Sequence, residues 1–208
     1  AEKPGLRGFE VLPAAYCPFA GAVEADWSQA AFWYAANFLG SPVEIQGLNP
    51  LSAQGDLAVA SLYWRLARPG DREMDVSGCP DLLPPLAVMA AVRQGTVRFV
   101  HAARLRLKES DRLQTTAAML QALGGTVEEA DSAAIMEEGA DSLTVQGQPQ
   151  LLGGTVDGAN DHRIVMAAAV AATACAGSVT VLGAEAVHKS YPDFFTVYQA
   201  LGGAFHVL

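Results

Sequence analysis

The chain has 208 residues, of which 51% are hydrophobic and 17% charged, enough apolar content for a buried core and too much for a disordered segment. That length suits one large domain or two small ones. Thirteen basic against 22 acidic residues give a formal charge of −9, which disfavours a nucleic-acid partner because such proteins carry a basic excess.

In chain order, residues 1–22 are Pro-rich, with Phe9–Pro13 reading as a short strand among turns. This stretch is expected to be a linker or strand remnant of a missing preceding domain, and the absence of an initiator Met points to a fragment or a processed chain. Asp26-Trp27-Ser28-Gln29 then heads an Ala-rich helix through Phe38 that stops at Gly40, followed by the alternating Val43–Ile45 of a strand. Asp56 opens a second helix. The same succession returns at Pro80-Asp81-Leu82-Leu83, with a helix over Leu86–Ala91, Gly95, a strand over Thr96–Val100 and a helix opened by Asp111. That helix closes on Leu123-Gly124-Gly125 and leads into Thr126-Val127, and a hairpin strand is expected around Leu143 to Leu152. Asn160-Asp161-His162-Arg163 begins the third copy: a helix over Ile164–Thr173, Gly177, a strand to Leu182, and a helix opened by Asp193 that closes on Leu201-Gly202-Gly203 before Ala204-Phe205. Asp or Asn at a helix start and Gly just past its end are capping chemistry, and the period-two Val, Ile and Phe are strand chemistry.

The spacings tie the copies together. From first Asp to Gly is 14, 14 and 16 residues, and from Gly to second Asp is 16 in all three. Three mixed units of this length predict an α/β domain over residues 23–208 with approximate threefold symmetry. The first helix of each unit is apolar nearly all round, so these helices belong inside and the sheets outside.

The most apolar stretch, Ile164–Ala176, falls short of the ~20 residues a membrane span needs, and no apolar run near residue 1 reads as a secretory signal. Cys17, Cys79 and Cys175 share no metal-ligand spacing, and their odd number argues against a disulfide framework. A soluble protein in a reducing, cytoplasm-like compartment, without membrane or nucleic-acid partners, is expected.

If the helix starts gather at one end, their unpaired N–H groups and summed dipoles make a face for phosphates and carboxylates. The ionisable residues concentrate there: Asp81; Lys108, Glu109, Asp111 and Arg112; Asp161, His162 and Arg163; Lys189 and Asp193. Three cations and two acids within Arg106–Arg112 could be a solvated helix start. Placed after a strand and in register with two other charged starts, they equally suit a polyanion site, with Arg gripping bidentately and Glu moving protons. Asp81 reads either as a helix cap or as a proton acceptor. His162 has no second ligand at metal spacing, and no Walker loop, dinucleotide fingerprint, Ser-His-Asp or Cys-His arrangement is present.

The strings Arg106-Leu107-Lys108-Glu109-Ser110-Asp111-Arg112, Asn160-Asp161-His162-Arg163 and Lys189-Ser190-Tyr191-Pro192-Asp193-Phe194-Phe195 resemble the 5-enolpyruvylshikimate-3-phosphate synthase family. Asp26-Trp27-Ser28-Gln29, Gln54-Gly55-Asp56 and Cys79-Pro80-Asp81 fit in the same order, so the likeness runs from about residue 8 to the C-terminus. Related UDP-N-acetylglucosamine enolpyruvyl transferases share the fold, but these strings are similar to the shikimate enzyme. The resemblance implies two similar domains, each of three βαβαββ units with helices inside and sheets outside, of which this chain is the C-terminal one. It implies transfer of the enolpyruvyl group of phosphoenolpyruvate to the 5-hydroxyl of shikimate 3-phosphate, on the route to chorismate and aromatic amino acids. No metal or organic cofactor is implied, and the family is a target of the herbicide glyphosate. By motif, Asp81 would accept the 5-hydroxyl proton and hold shikimate 3-phosphate, and Glu109 would move a proton at the phosphoenolpyruvate methylene. Lys108 would contact shikimate 3-phosphate, while Arg112, Arg163 and Lys189 would bind phosphoenolpyruvate. The N-terminal half of the family's site is not in this sequence, so the chain alone is expected to be inactive. A non-catalytic anion-binding or partner-docking domain of the same fold is the alternative.

Overall fold

A computed structural model describes residues 10–18, 20–130 and 141–208. The frame of the described residues is built from α1 Trp27–Phe38, α2 Val59–Ala67, β1 Arg72–Asp75, α3 Leu83–Ala91, β2 Thr96–Val100, α4 Arg112–Ala122, β3 Thr126–Ala130, β4 Ser142–Gln146, β5 Gly154–Asp157, α5 His162–Ala171, β6 Val179–Leu182 and α6 Phe194–Ala200. Between them lie short 3-10 turns, of which Gly55–Ala58, Pro80–Leu82, Ala103–Leu107 and Ala184–Lys189 flank the charged residues.

Side-chain caps start α1, α4 and α5 where expected, whereas Asp56 lies inside the 3-10 turn before α2 and Asp193, at the head of α6, accepts no capping bond. Asp26 caps α1 by accepting from the Ser28 amide at 2.8 Å, Asp111 caps α4 through the Gln114 amide at 3.1 Å, and Asp161 caps α5 through the Arg163 amide at 2.9 Å. Each satisfies a donor that the first turn leaves unpaired. α3 is different: Asp81 sits in the 3-10 turn before it and accepts no capping bond. Pro84 and Pro85 begin that helix where their missing N–H groups cost nothing. At the far ends, Gly124 and Gly202 adopt φ of 82° and 96°, and Gly125 and Gly203 donate back to Leu120 and Tyr198 at 2.7 and 2.9 Å. A side chain at such φ is strained against its own backbone, which is why glycine closes both helices.

α1, α3 and α5 pack against one another at the centre. All nine residues of α3 and all ten of α5 are buried, so their all-round apolarity is explained by position. Outside them lies a four-stranded sheet in the order β1-β2-β4-β3, with β1 and β2 parallel and the other pairs antiparallel. Val97, Phe99, Leu143 and Val145 turn inward and are fully buried, while Arg98 faces solvent. Residues 72–146 are thus one complete βαβαββ unit.

The other two units carry fewer strands. The third shows β5 and β6 parallel, with α5 as the crossover, followed by α6. Ala204-Phe205 form no strand, and neither does Val43–Ile45 in the first unit. In the complete unit β3 is held entirely by β4, and among the described residues nothing plays that part beside residues 204–208. Near Val43 a side chain takes over: Asn37 accepts from the Val43 amide at 2.7 Å and donates to its carbonyl at 2.8 Å. β4 also stops at Gln146 rather than continuing to Leu152, although Leu151 bridges to Cys175. Glu10–Pro13 are exposed and form no strand, and Phe9 lies outside the described residues.

Candidate active site

The helix starts of α3, α4 and α5 meet, and their charged residues interlock. Arg112, the first residue of α4, is wholly buried. Its Nε donates to Asp161 Oδ2 at 2.9 Å, one terminal nitrogen to Asp81 Oδ1 at 2.7 Å, and the other to Asp161 Oδ1 at 3.2 Å and to Glu109. Asp81 also pairs with Lys108 Nζ at 2.9 Å and with Arg163 at 3.4 Å. Arg163 reaches α1 as well, donating to Ser28 Oγ at 3.1 Å, and its second terminal nitrogen is buried without a hydrogen-bond partner among the described residues. Ser110 closes the network by donating to Asp161 at 3.0 Å.

Three cations and three carboxylates therefore share one small volume. Cations at helix N-termini oppose the helix dipole, so Arg112 and Arg163 depend on these carboxylates. Burial by itself would raise the Asp81 carboxyl, but Arg163, Lys108 and Arg112 together hold it below the ordinary carboxylate value. Asp161 is governed the same way: burial raises it, and the Arg112 fork, the Arg163 amide and Ser110 outweigh burial. Asp56, on the neighbouring 3-10 turn, goes the other way, pushed up by burial and then by the Asp81 charge. Burial and the Arg163 charge lower His162, whose Nδ1 has no partner among the described residues.

Of the residues expected from sequence, Asp81, Lys108, Glu109, Arg112 and Arg163 come together in this cluster. Lys189 stands at its edge, donating from an exposed position to the Asn160 carbonyl at 2.6 Å. That carbonyl is presented by a tight turn in which Ala159 and Asn160 take φ of 50° and 53°, a region non-glycine residues avoid unless the surroundings enforce it. Asp81 is correspondingly not an ordinary cap; its oxygens face cations. Sequence reasoning did not single out Ser28, Ser110 or Asp56 as site residues, and placed Asp161 on the charged face without giving it a role. Their signal was present in the spacing, since each lies in a charged string at a helix start, but nothing in a string shows which oxygens converge. Among the described residues no group of His, Cys, Asp and Glu is arranged to hold a metal ion.

A family model described as EPSP synthase (3-phosphoshikimate 1-carboxyvinyltransferase) matches residues 7–198. The chain belongs to the EPSP synthase family. Relatives named 3-phosphoshikimate 1-carboxyvinyltransferase include that of Clostridium acetobutylicum, 41% identical over 197 residues, covering 88% of this chain and 44% of the relative. That of Halobacterium salinarum is 38% identical over 212 residues, covering 90% and 47%. The EPSP synthase of Acinetobacter baumannii superposes with a TM-score of 0.71 at 22% identity, covering 88% of this chain and 47% of that one. At that identity the likeness speaks for the fold: the enolpyruvyl transferase architecture of central helices and outer sheets. The chain spans about half the length of the curated EPSP synthase relatives it matches.

Proposed function

We propose that this chain is the C-terminal half of an enolpyruvyl transferase acting on phosphoenolpyruvate and shikimate 3-phosphate, with residues 23–208 as its domain and 1–22 as the linker to the other half. The observation that carries this reading is the meeting of Asp81, Lys108, Glu109, Arg112 and Arg163 at three helix starts. Such a cluster supplies both anion grips and proton carriers within reach of one small molecule. Arg112, Arg163 and Lys189 take the phosphate and carboxylate of phosphoenolpyruvate. Lys108 and Asp81 hold shikimate 3-phosphate. Asp81, ionised at neutral pH because its pKa is depressed, accepts the proton of the 5-hydroxyl as that oxygen bonds to the central carbon of phosphoenolpyruvate. Glu109, once it has taken up a proton from solvent, gives that proton to the methylene carbon in the same addition. In the elimination Glu109 recovers a proton from the resulting methyl group, the double bond re-forms and inorganic phosphate leaves. The chemistry requires no metal or organic cofactor.

Cys79, two residues before Asp81, is a poor nucleophile: burial, with the charges of Asp56 and Asp75, pushes its thiol up to about 11. Free Cys17, Cys79 and Cys175 suit a reducing, cytoplasm-like compartment. Among the described residues no helix is long and apolar enough to cross a membrane. The deciding experiment is phosphate release from the two substrates by this chain, alone and mixed with the N-terminal half of an EPSP synthase. Activity in the mixture alone is expected, because half of the substrate contacts and the closing cleft come from the other half. No activity in a mixture whose halves are shown to associate would leave an anion-binding domain instead.

A further inference from the structure

Arg112 cannot receive a ligand as it stands, because its side chain is 0% exposed and its nitrogens are engaged by three carboxylates. Those carboxylates are not equivalent. Asp161 is also 0% exposed, and it accepts from Arg112 twice, from Ser110 and from the Arg163 amide, so it is fixed behind the guanidinium. Asp81 and Glu109 are 26% and 41% exposed and lie on the solvent side. Asp81 is held by three cations, whereas Glu109, on the loop before α4, is held through Arg112. The second terminal nitrogen of Arg163, whose other one donates to Asp81, is buried with no partner among the described residues, an unpaired donor that an oxygen admitted on displacement would satisfy.

We propose that Glu109 is an exchangeable counter-ion that plugs Arg112 until a small phosphate- or carboxylate-bearing molecule displaces it. The plug rests on the transferase reading of this site and adds to it how the site opens. The incoming anion takes the place of Glu109 on the outer nitrogen of Arg112 and gains the vacant Arg163 donor. Asp161 stays, so the guanidinium keeps its orientation. Displacement frees the Glu109 carboxylate beside the bound anion, where it takes up a proton from solvent and becomes the acid that the addition uses when there is a molecule for it to act on. A carboxylate exchanged for another anion gains little by itself, because the bond to Arg112 is replaced rather than added. The plug therefore lowers the affinity of the empty chain for phosphoenolpyruvate.

The test is binding of phosphoenolpyruvate, and separately of inorganic phosphate, to the 208-residue chain by calorimetry, with thermal melts to check folding. Glu109→Gln is expected to tighten phosphoenolpyruvate binding by about fivefold or more, since a neutral amide competes poorly for a guanidinium. Glu128→Gln, the same charge change on the exposed face of β3, is expected to change it less than about twofold. Equal or weaker binding in Glu109→Gln, or no binding in either chain, overturns the plug. Should the variant fail to fold, carbon NMR of the Glu109 carboxyl in the unaltered chain decides: it is expected to shift on saturation while the Arg112 Nε–H signal, which reports Asp161, stays in place. An unmoved Glu109 signal overturns the proposal. Transferase activity in the mixed halves together with no tightening would sink the plug and spare the functional reading; tightening without activity would do the reverse.

Discussion

At the C-terminal end of α3 the buried guanidinium of Arg93 donates to the backbone carbonyls of Leu66, Arg68 and Gly70. At the N-terminal end, around Asp81, the buried guanidinium of Arg112 donates to the carboxylates of Asp81, Glu109 and Asp161. Both residues are buried cations, yet they do different work. The partners of Arg93 are the last turn of α2 and the loop behind it, and a cation there complements the carbonyl end of a helix. Those oxygens are part of the backbone and cannot leave without unwinding it. The partners of Arg112 are side chains from three separate segments, two of them reaching solvent. A buried arginine held by backbone carbonyls is a clasp, and one neutralised by carboxylates is a site whose partners can be traded.

The sharpest way to break that comparison is to remove each arginine in turn. Arg112→Met leaves Asp161 charged, buried and stripped of its fork, and deprives Asp81 of one of its three cations. Breaking a buried pair from one side costs about 3–5 kcal/mol, so urea unfolding is expected to show a loss in that range. Adding Asp161→Asn to the same chain is expected to recover part of it, because the stranded charge is then gone. A loss below about 1 kcal/mol would mean that solvent reaches Asp161 and that its burial is not felt energetically.

Arg93→Met strands neutral carbonyls rather than a carboxylate. Arg68 and Gly70 are exposed, so their oxygens can turn to water, and a smaller loss of about 2 kcal/mol is expected. The more telling readout is ligand affinity: phosphoenolpyruvate binding by the folded fraction is expected to stay within about twofold of the unaltered chain. A clear drop in affinity at unchanged stability would show that the two ends of α3 are coupled, and the division into clasp and site would fail.

The Arg112 end was largely legible in the sequence and the Arg93 end was not. Asp81, Lys108, Glu109, Arg112 and Arg163 stand in strings at helix starts that recur with the same start-to-Gly and Gly-to-start spacings of 14 to 16 residues, so their gathering at one end followed from the repeat. Arg93 stands alone between an apolar helix and Gly95, with no partner nearby in sequence, because its partners are carbonyls 27, 25 and 23 residues earlier. Backbone acceptors carry no sequence signal. The same limit explains the strands: Val43–Ile45 and Ala204-Phe205 alternate as strands should, but a strand exists only beside a partner, and pairing is not written in the segment itself. Asn37 standing in for a neighbour at Val43 could not have been read from the string.

The smallest expected effect separates two kinds of carboxylate within the site itself. Asp81 and Asp161 have depressed pKa values because cations outweigh their burial, while Asp56 has a raised one because burial and then Asp81 outweigh Arg163 and Lys108. The signs of their pH dependence are opposite. The depressed pair contributes stability that is full above about pH 4, the ordinary carboxylate value, and is lost as pH falls through their folded values. Asp56 binds its proton more tightly when folded, so its penalty is absent below about pH 4 and grows as pH rises through its folded value. Asp56→Asn removes that penalty and leaves Asp81 and Asp161 in place. The variant is expected to melt above the unaltered chain at pH 7 by at most about 2–4 °C, the span of roughly 1 kcal/mol in a domain of this size. The gap should close as both are titrated to about pH 4. A gap that persists at about pH 4 would assign the gain to packing of the amide rather than to a relieved charge. A lower melting temperature at pH 7 would mean that attraction to Arg163 and Lys108 exceeds the burial cost, and Asp56 would then belong with Asp81 as a partner of the cations.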